Sequence, residues 1–164
     1  GAAVGVDYSK SKTKSYFSFG TDGSGSEYIK YDSNQFDNKF KGKFIMKGGN
    51  VFQYMSKKIP LEVIKLMQKS KVEMNQIDYF VPHQASKFLI ETISKKLNIK
   101  NEKVLLSLRN FGNTNSASIP ITLLNEKKKV INTKLLLSGF GVGLSWGNCI
   151  LDLYDVKFTN ILKL

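Results

Sequence analysis

The order of patterns in this 164-residue chain predicts an α/β fold, a mixed sheet with helices packed on its faces. Three observations carry that expectation. Short apolar runs of strand character alternate with longer stretches in which apolar residues return every three or four positions. The two polar, turn-forming motifs, VPHQ at 81–84 and RNFGNTN at 109–115, each lie between the end of such a run and the start of a helical stretch. The last two runs, LLLSGFGVG and LSWGNCILDLY, meet at a glycine turn.

Taken in order, GAAVGVDY at the start is small and apolar, as a strand inside a sheet would be, and has no polar lead-in; it reads as the start of a chain cut from something longer. Ser15 to Phe19 alternate like a strand, and Gly20 to Ser26 read as loop. Residues 32–50 are polar, lysine-rich and punctuated by glycine, which suits a surface excursion. From Val51 the texture is helical, with Pro60 placed as in a first turn, so two helices or one kinked helix are expected. IDYFVP at 77–82 fits a buried strand. Ala85, Phe88, Leu89, Thr92, Ile93 and Leu97 then form an amphipathic stripe. EKVLLSL predicts a further short strand, and SASIPITLLNEKKK a helix with Pro120 near its start. The length suits one domain over residues 1–164, and a hydrophobic content of 41% can fill its core.

Composition narrows the function classes. The formal charge is +12, but Arg109 is the only arginine, and lysines are spread along the sequence. Lysine gives solvated point charge without the planar fork of base and phosphate readers, so a nucleic-acid role is not expected. A lysine-coated solvated face explains the excess at least as well as a dedicated basic site. No run of 18 apolar residues is present, and the first residues lack the regions of a signal peptide, so no membrane role and a cytoplasmic location are expected. Cys149 is the only cysteine, lies in an apolar string, and reads as an inert thiol. One histidine and one distant cysteine do not make a metal site.

His83 is that single histidine, standing where a strand exit stiffened by Pro82 meets a helix start. Read in isolation such a histidine is more often a structural or surface residue than a catalytic one, and Asn113 reads equally as a helix cap. IDYFVPHQAS, LRNFGNTNSASIPITL and LLLSGFGVGLSWGNCIL, in this order and spacing, resemble the C-terminal half of β-ketoacyl-acyl-carrier-protein synthase III enzymes of the thiolase superfamily. IMKGGNVFQYMSKKIPLEVI and FGTDGSG are similar to two further stretches of that family, so the resemblance covers nearly the whole chain.

The resemblance implies a thiolase-like half and a Cys-His-Asn site, with the histidine at His83 and the asparagine at Asn113. The cysteine belongs to the family's N-terminal half, which this chain lacks, and Cys149 does not occupy its position. The implied reaction loads an acyl group from coenzyme A onto that cysteine, then condenses it with malonyl-acyl-carrier protein. His83 and Asn113 stabilise the enolate as neutral donors, and the GFGVG loop, with Gly141 and Val142, supplies backbone N–H groups to the acyl oxyanion. Phe140 is implied beside the cysteine, and Lys87 is the candidate contact to the acidic carrier. Coenzyme A and phosphopantetheine enter as substrate carriers, with no bound cofactor, and a homodimer is implied.

Three positions depart from the family: Ser86 replaces the asparagine of HQAN, Phe88 stands where a basic residue is common, and Val142 where many members have glycine. These lean toward a relative serving a specialised pathway. The alternative function is a non-catalytic synthase-like subunit or dimer scaffold, distinguished by the absence of an upstream cysteine.

Overall fold

A computed structural model describes residues 2, 4–5, 13–32, 43–154 and 156–159. The strand expected over residues 1–8 falls mostly outside them, and Ala2, Val4 and Gly5 have no regular structure. The strands are β1 (Tyr16–Thr21), β2 (Ile29–Asp32), β3 (Lys43–Met46), β4 (Tyr79–Pro82), β5 (Lys134–Gly141) and β6 (Ser145–Asp152). The helices are α1 (Gly48–Ser70), α2 (Lys87–Lys96), α3 (Leu108–Phe111), α4 (Ser118–Asn125) and α5 (Lys127–Val130).

Four strands form one sheet in the order β1-β6-β5-β4, antiparallel at the first two pairings and parallel at the last. The sheet is therefore mixed, as expected. A two-stranded ribbon of β2 and β3 stands apart from it. Alternation along the strands sends side chains to both faces. Phe80, Leu136, Trp146 and Ile150 join Met55, Ile59, Val63 and Leu66 of α1, and Leu89 and Ile93 of α2, in one core. Val81 and Leu135, one position along, join Leu105 and Val130 in a second core against which Ile119 and Leu123 of α4 pack. Helices thus cover both faces, and each fully buried aliphatic side chain contributes about 1.5–3 kcal/mol.

Three expectations need correction. Helix α1 is one continuous helix of 23 residues, and Pro60 is buried in its interior rather than in a first turn. A proline there cannot donate to the carbonyl four residues back, which is that of Ser56. The Lys96 ammonium of α2 donates to that oxygen at 2.8 Å instead. A neighbouring helix has taken over the lost bond, so the sequence pattern around Pro60 does not reveal a break.

The strand expected in EKVLLSL is reduced to a single parallel bridge between Phe80 and Val104, after a 3-10 turn at Asn101–Lys103. Leu105 N–H still donates to the Phe80 carbonyl at 2.9 Å. Beyond it, the buried Gln84 side chain takes the place of a strand neighbour. Its Nε2 donates to the carbonyls of Pro82 (2.8 Å) and Leu105 (3.3 Å), and its Oε1 accepts from Ser107 N–H at 2.8 Å.

Gly20 to Ser26, expected as loop, are divided between the end of β1 and a 3-10 turn over Gly23–Tyr28 capped by Asp22. Asp22 accepts from the Ser24 hydroxyl (2.6 Å), the Ser24 N–H (3.0 Å) and the Tyr54 hydroxyl (2.7 Å), while its own N–H donates to the Leu144 carbonyl at 3.0 Å. The Ser24 and Tyr54 hydroxyls hold the Asp22 carboxyl down at about 2. Asp22 thus ties the exit of β1 to α1 through its carboxylate and to the turn between β5 and β6 through its backbone N–H.

Replacing Lys96 with Met should destabilise the protein by roughly 1–2 kcal/mol, because it orphans the Ser56 carbonyl. Restoring an N–H at position 60 with Pro60→Ala should shrink that cost. A urea-unfolding double-mutant cycle measures the coupling, and additivity would refute this account of the helix.

Candidate functional site

Strand β4 runs parallel to β5, so both end at the same edge of the sheet. Pro82 pairs with Ser138, and the next residue closes the ladder with His83 N–H donating to the Ser138 carbonyl at 2.7 Å. Ser138 is fixed on its other side, where its hydroxyl donates to Asn148 Oδ1 of β6 at 2.6 Å. His83 therefore leaves the sheet directly beside the residues that β5 carries onward, Gly139 and Phe140.

The imidazole is half-buried at an open cavity of about 490 Å³. Phe140, Gly141 and Val142 line the same space, as do Trp146 and Phe19. Asn115, Ser116 and Ser118 enter from the turn before α4 and from its first residue. Among the described residues, none lining the cavity other than His83 itself is titratable. Burial lowers the His83 pKa below its ordinary value, and a hydrogen bond to the Asn115 backbone pulls the other way. The net direction keeps the ring neutral at pH 7.

Besides the Asn115 backbone, two side chains orient the ring. The Phe140 ring meets it edge to face, at 5.4 Å between centroids and 87° between planes. Nδ1 is hydrogen-bonded to Ser118 Oγ at 2.7 Å. That partner was not identifiable from sequence, where Ser118 is one serine among several in NSASIP.

The expected site residues divide between this cavity and its surroundings. His83, Phe140, Gly141 and Val142 are brought together; Asn113 is exposed and is not among the lining residues. Its Oδ1 accepts from Asn115 N–H at 2.9 Å, an Asx-type turn that holds Asn115 at a φ of +52°. The asparagine thus fixes the turn whose next residues face the imidazole. Lys87, the first residue of α2, is exposed and lies 3.7 Å from Glu91; it does not line the cavity.

Ser86, in place of asparagine, caps α2 by accepting from Leu89 N–H at 3.3 Å. Serine and asparagine serve equally well in that role, so the change leaves the helix start intact. Phe88 points outward and stacks on Phe52, with centroids 5.0 Å apart. Trp146 belongs to the core but shows one edge to the cavity, with the Lys58 ammonium 4.5 Å over its ring. Gly20 lies against that indole, and a Cβ there would collide with it.

Cys149 lies on β6 outside the cavity, and burial pushes its thiol up to about 12. It stays protonated and unreactive. Among the described residues no group of three metal-ligating side chains converges, and no helix is long and apolar enough to cross a membrane.

The sequence over residues 67–153 matches the family described as 3-oxoacyl-[acyl-carrier-protein (ACP)] synthase III C terminal. Among curated proteins, the β-ketoacyl-[acyl-carrier-protein] synthase III of Clostridium acetobutylicum is 35% identical over 142 residues, 80% of this chain and 44% of that protein. The enzyme of the same name from Staphylococcus haemolyticus is 32% identical over 154 residues, 92% of this chain and 47% of that one. The chain spans just under half the length of these relatives.

Solved structures agree. A 3-oxoacyl-(acyl-carrier protein) synthase from Burkholderia xenovorans LB400 superposes with a TM-score of 0.81 at 26% identity, over 89% of this chain and 46% of that one. The 3-oxoacyl-[acyl-carrier-protein] synthase III of Aquifex aeolicus VF5 gives 0.76 at 29% identity, over 87% and 46%. With residues 67–153, over half of its length, inside the family's C-terminal pattern, the chain belongs to the 3-oxoacyl-[acyl-carrier-protein] synthase III family and shares its thiolase-like fold.

Proposed function

We propose that this chain supplies the decarboxylation side of a β-ketoacyl synthase III-type acyltransferase, with His83 and Asn113 as the two donors. The observation that carries the reading is a neutral, half-buried imidazole held at a cavity whose other lining residues are uncharged. The nucleophilic cysteine would come from the part of the relatives' length that this chain does not span. Cys149, with its thiol at about 12 and outside the cavity, is no substitute. The chain alone is then inactive, and the complete enzyme draws on acyl-CoA and a malonyl-charged acyl carrier protein.

In this scheme the cysteine takes the acyl group from coenzyme A. Malonyl on the carrier loses carbon dioxide, and the electrons of the broken bond move onto the thioester oxygen. The resulting carbanion attacks the acyl-cysteine carbonyl, and the cysteine leaves. Negative charge on the thioester oxygen is met by His83 N–H and the Asn113 amide N–H, neither of which has to give up its proton. Because the Asn113 Oδ1 is engaged by Asn115 N–H, its NH2 end is the one left to donate. Donors fixed before the reaction cost little reorganisation, and each is worth on the order of 10²–10³ in rate.

Backbone N–H groups of the Gly141–Val142 turn serve the separate oxyanion at the acyl-cysteine. The same lysine-rich surface draws in the acidic carrier by long-range attraction, with Lys87 at the α2 start as a contact. A homodimer with a cytoplasmic location completes the reading.

In the protein joined to its cysteine-bearing part, His83→Ala and Asn113→Ala should each slow malonyl decarboxylation about 100-fold or more, while acylation of the cysteine from acyl-CoA proceeds. Unchanged condensation in both variants would sink the assignment. The non-catalytic alternative predicts no acylated cysteine at all, which mass spectrometry after acyl-CoA incubation reads directly.

A stability profile tests the protonation state. With its folded pKa lowered by burial, His83 binds fewer protons in the folded than in the unfolded chain over the interval below about 6.5. Its contribution is complete above that pH and is lost as pH falls through the folded value. Wild-type stability should therefore drop more steeply than that of His83→Gln on acidification below about 6.5; parallel profiles would contradict a buried neutral imidazole.

A further inference from the structure

We propose that Ser118 is the positioning residue of His83, its hydroxyl donating to Nδ1 and so keeping the imidazole proton on Nε2. The argument is one of proton accounting around a buried oxygen. Ser118 is buried at the first turn of α4, and its Oγ already accepts from Gln84 N–H at 3.4 Å. A hydroxyl has one proton to place. Among the described residues, the only acceptor bonded to this oxygen is His83 Nδ1, at 2.7 Å. The competing arrangement puts the ring proton on Nδ1 and leaves the serine proton in the interior with no acceptor, which burial penalises.

The oxygen is held where the ring needs it. The Thr122 hydroxyl donates to the Ser118 carbonyl at 2.8 Å, so the Ser107 hydroxyl, 2.7 Å from Thr122 Oγ1, donates to it in turn. Ser107 is itself tied to Gln84 through its N–H. Gln84 follows His83 in the chain, so the same residue that replaces a strand neighbour at the β4 exit also sets the distance between the exit and α4. Among the described residues no other titratable side chain lines the cavity, so the tautomer is decided by neutral bonds, those of Ser118 and the one the ring makes to the Asn115 backbone.

The consequence for catalysis rests on the functional reading above; the tautomer itself does not. Since the chain has a single histidine, a 15N-histidine-labelled sample gives one set of ring signals. Above the titration midpoint, a two-bond 1H–15N spectrum should show Nδ1 as a bare nitrogen and Nε2 as a protonated one. The reverse pattern, or averaged nitrogens, overturns the proposal without need of a variant.

In Ser118→Ala the two nitrogens should average, and the His83 pKa should rise, because a bond to the neutral form has been removed. A pKa that falls or stays put also overturns the proposal. Ser118→Thr retains the hydroxyl and should restore the wild-type pattern. If the spectra come out as expected while His83→Ala still condenses substrate, the functional reading fails and the positioning role stands.

Discussion

The parallel pairing of β4 with β5 is the constraint on which the site depends. Parallel neighbours end on the same side of a sheet, and only there do two chain exits arrive next to each other with their backbone groups unspent. The last bond of that ladder, His83 N–H to the Ser138 carbonyl, is made by the candidate catalytic residue itself. A slip of one residue would exchange the two cores, sending Phe80 to the α4 face and Val81 to the α1 face, and would carry His83 off the cavity. The register is thus specified by burial on both faces, and the position of the imidazole follows from it.

A second layer of control comes from side chains that stand in for backbone. Gln84 replaces a strand beyond Val104, Lys96 replaces the N–H missing at Pro60, and Asp22 closes the turn after β1 while holding Tyr54, whose hydroxyl burial and that carboxylate push up to about 12. Each satisfies a polar group that the local chain leaves open, as a buried group must be satisfied. These replacements explain where sequence reading stopped short. The β5–β6 hairpin, the β4 strand and most of the α2 stripe were legible because their periodicity reports burial directly; Phe88, expected in that stripe, instead points outward onto Phe52. Pro60 and EKVLLSL were misread because the compensating group lies far along the chain, at Lys96 and Gln84, and no local pattern announces it.

The site divides the same way. His83, Phe140, Gly141 and Val142 were legible because two short motifs carry them, and the fold brings them to one cavity. The orientation of the ring was not, since it depends on Ser118, which the packing of α4 against the second core brings to Nδ1. Asn113 was legible as a residue, while its posture was not. Its Oδ1 is committed to the turn, a role compatible with donation from the other end of the same amide. Ser86 shows the opposite case, where a departure from the family pattern falls on a capping position that either residue fills.

Charge is partitioned between surface and cavity. The chain carries +12, yet the lysines described around the site work on its periphery: Lys96 on a carbonyl, Lys58 over the Trp146 ring, Lys87 beside Glu91. Apart from His83, no titratable side chain among the described residues lines the cavity. A lysine inside would bind any carboxylate substrate tightly in its ground state, and on the proposed reaction would oppose the loss of that carboxylate as carbon dioxide. Neutral donors favour the later, electron-rich oxygen more than the starting thioester, which is the condition for lowering a barrier rather than deepening a well. On the proposed reaction, the same burial that strips the imidazole of its charge suits it to the task, while the lysine charge among the described residues stays outside the cavity.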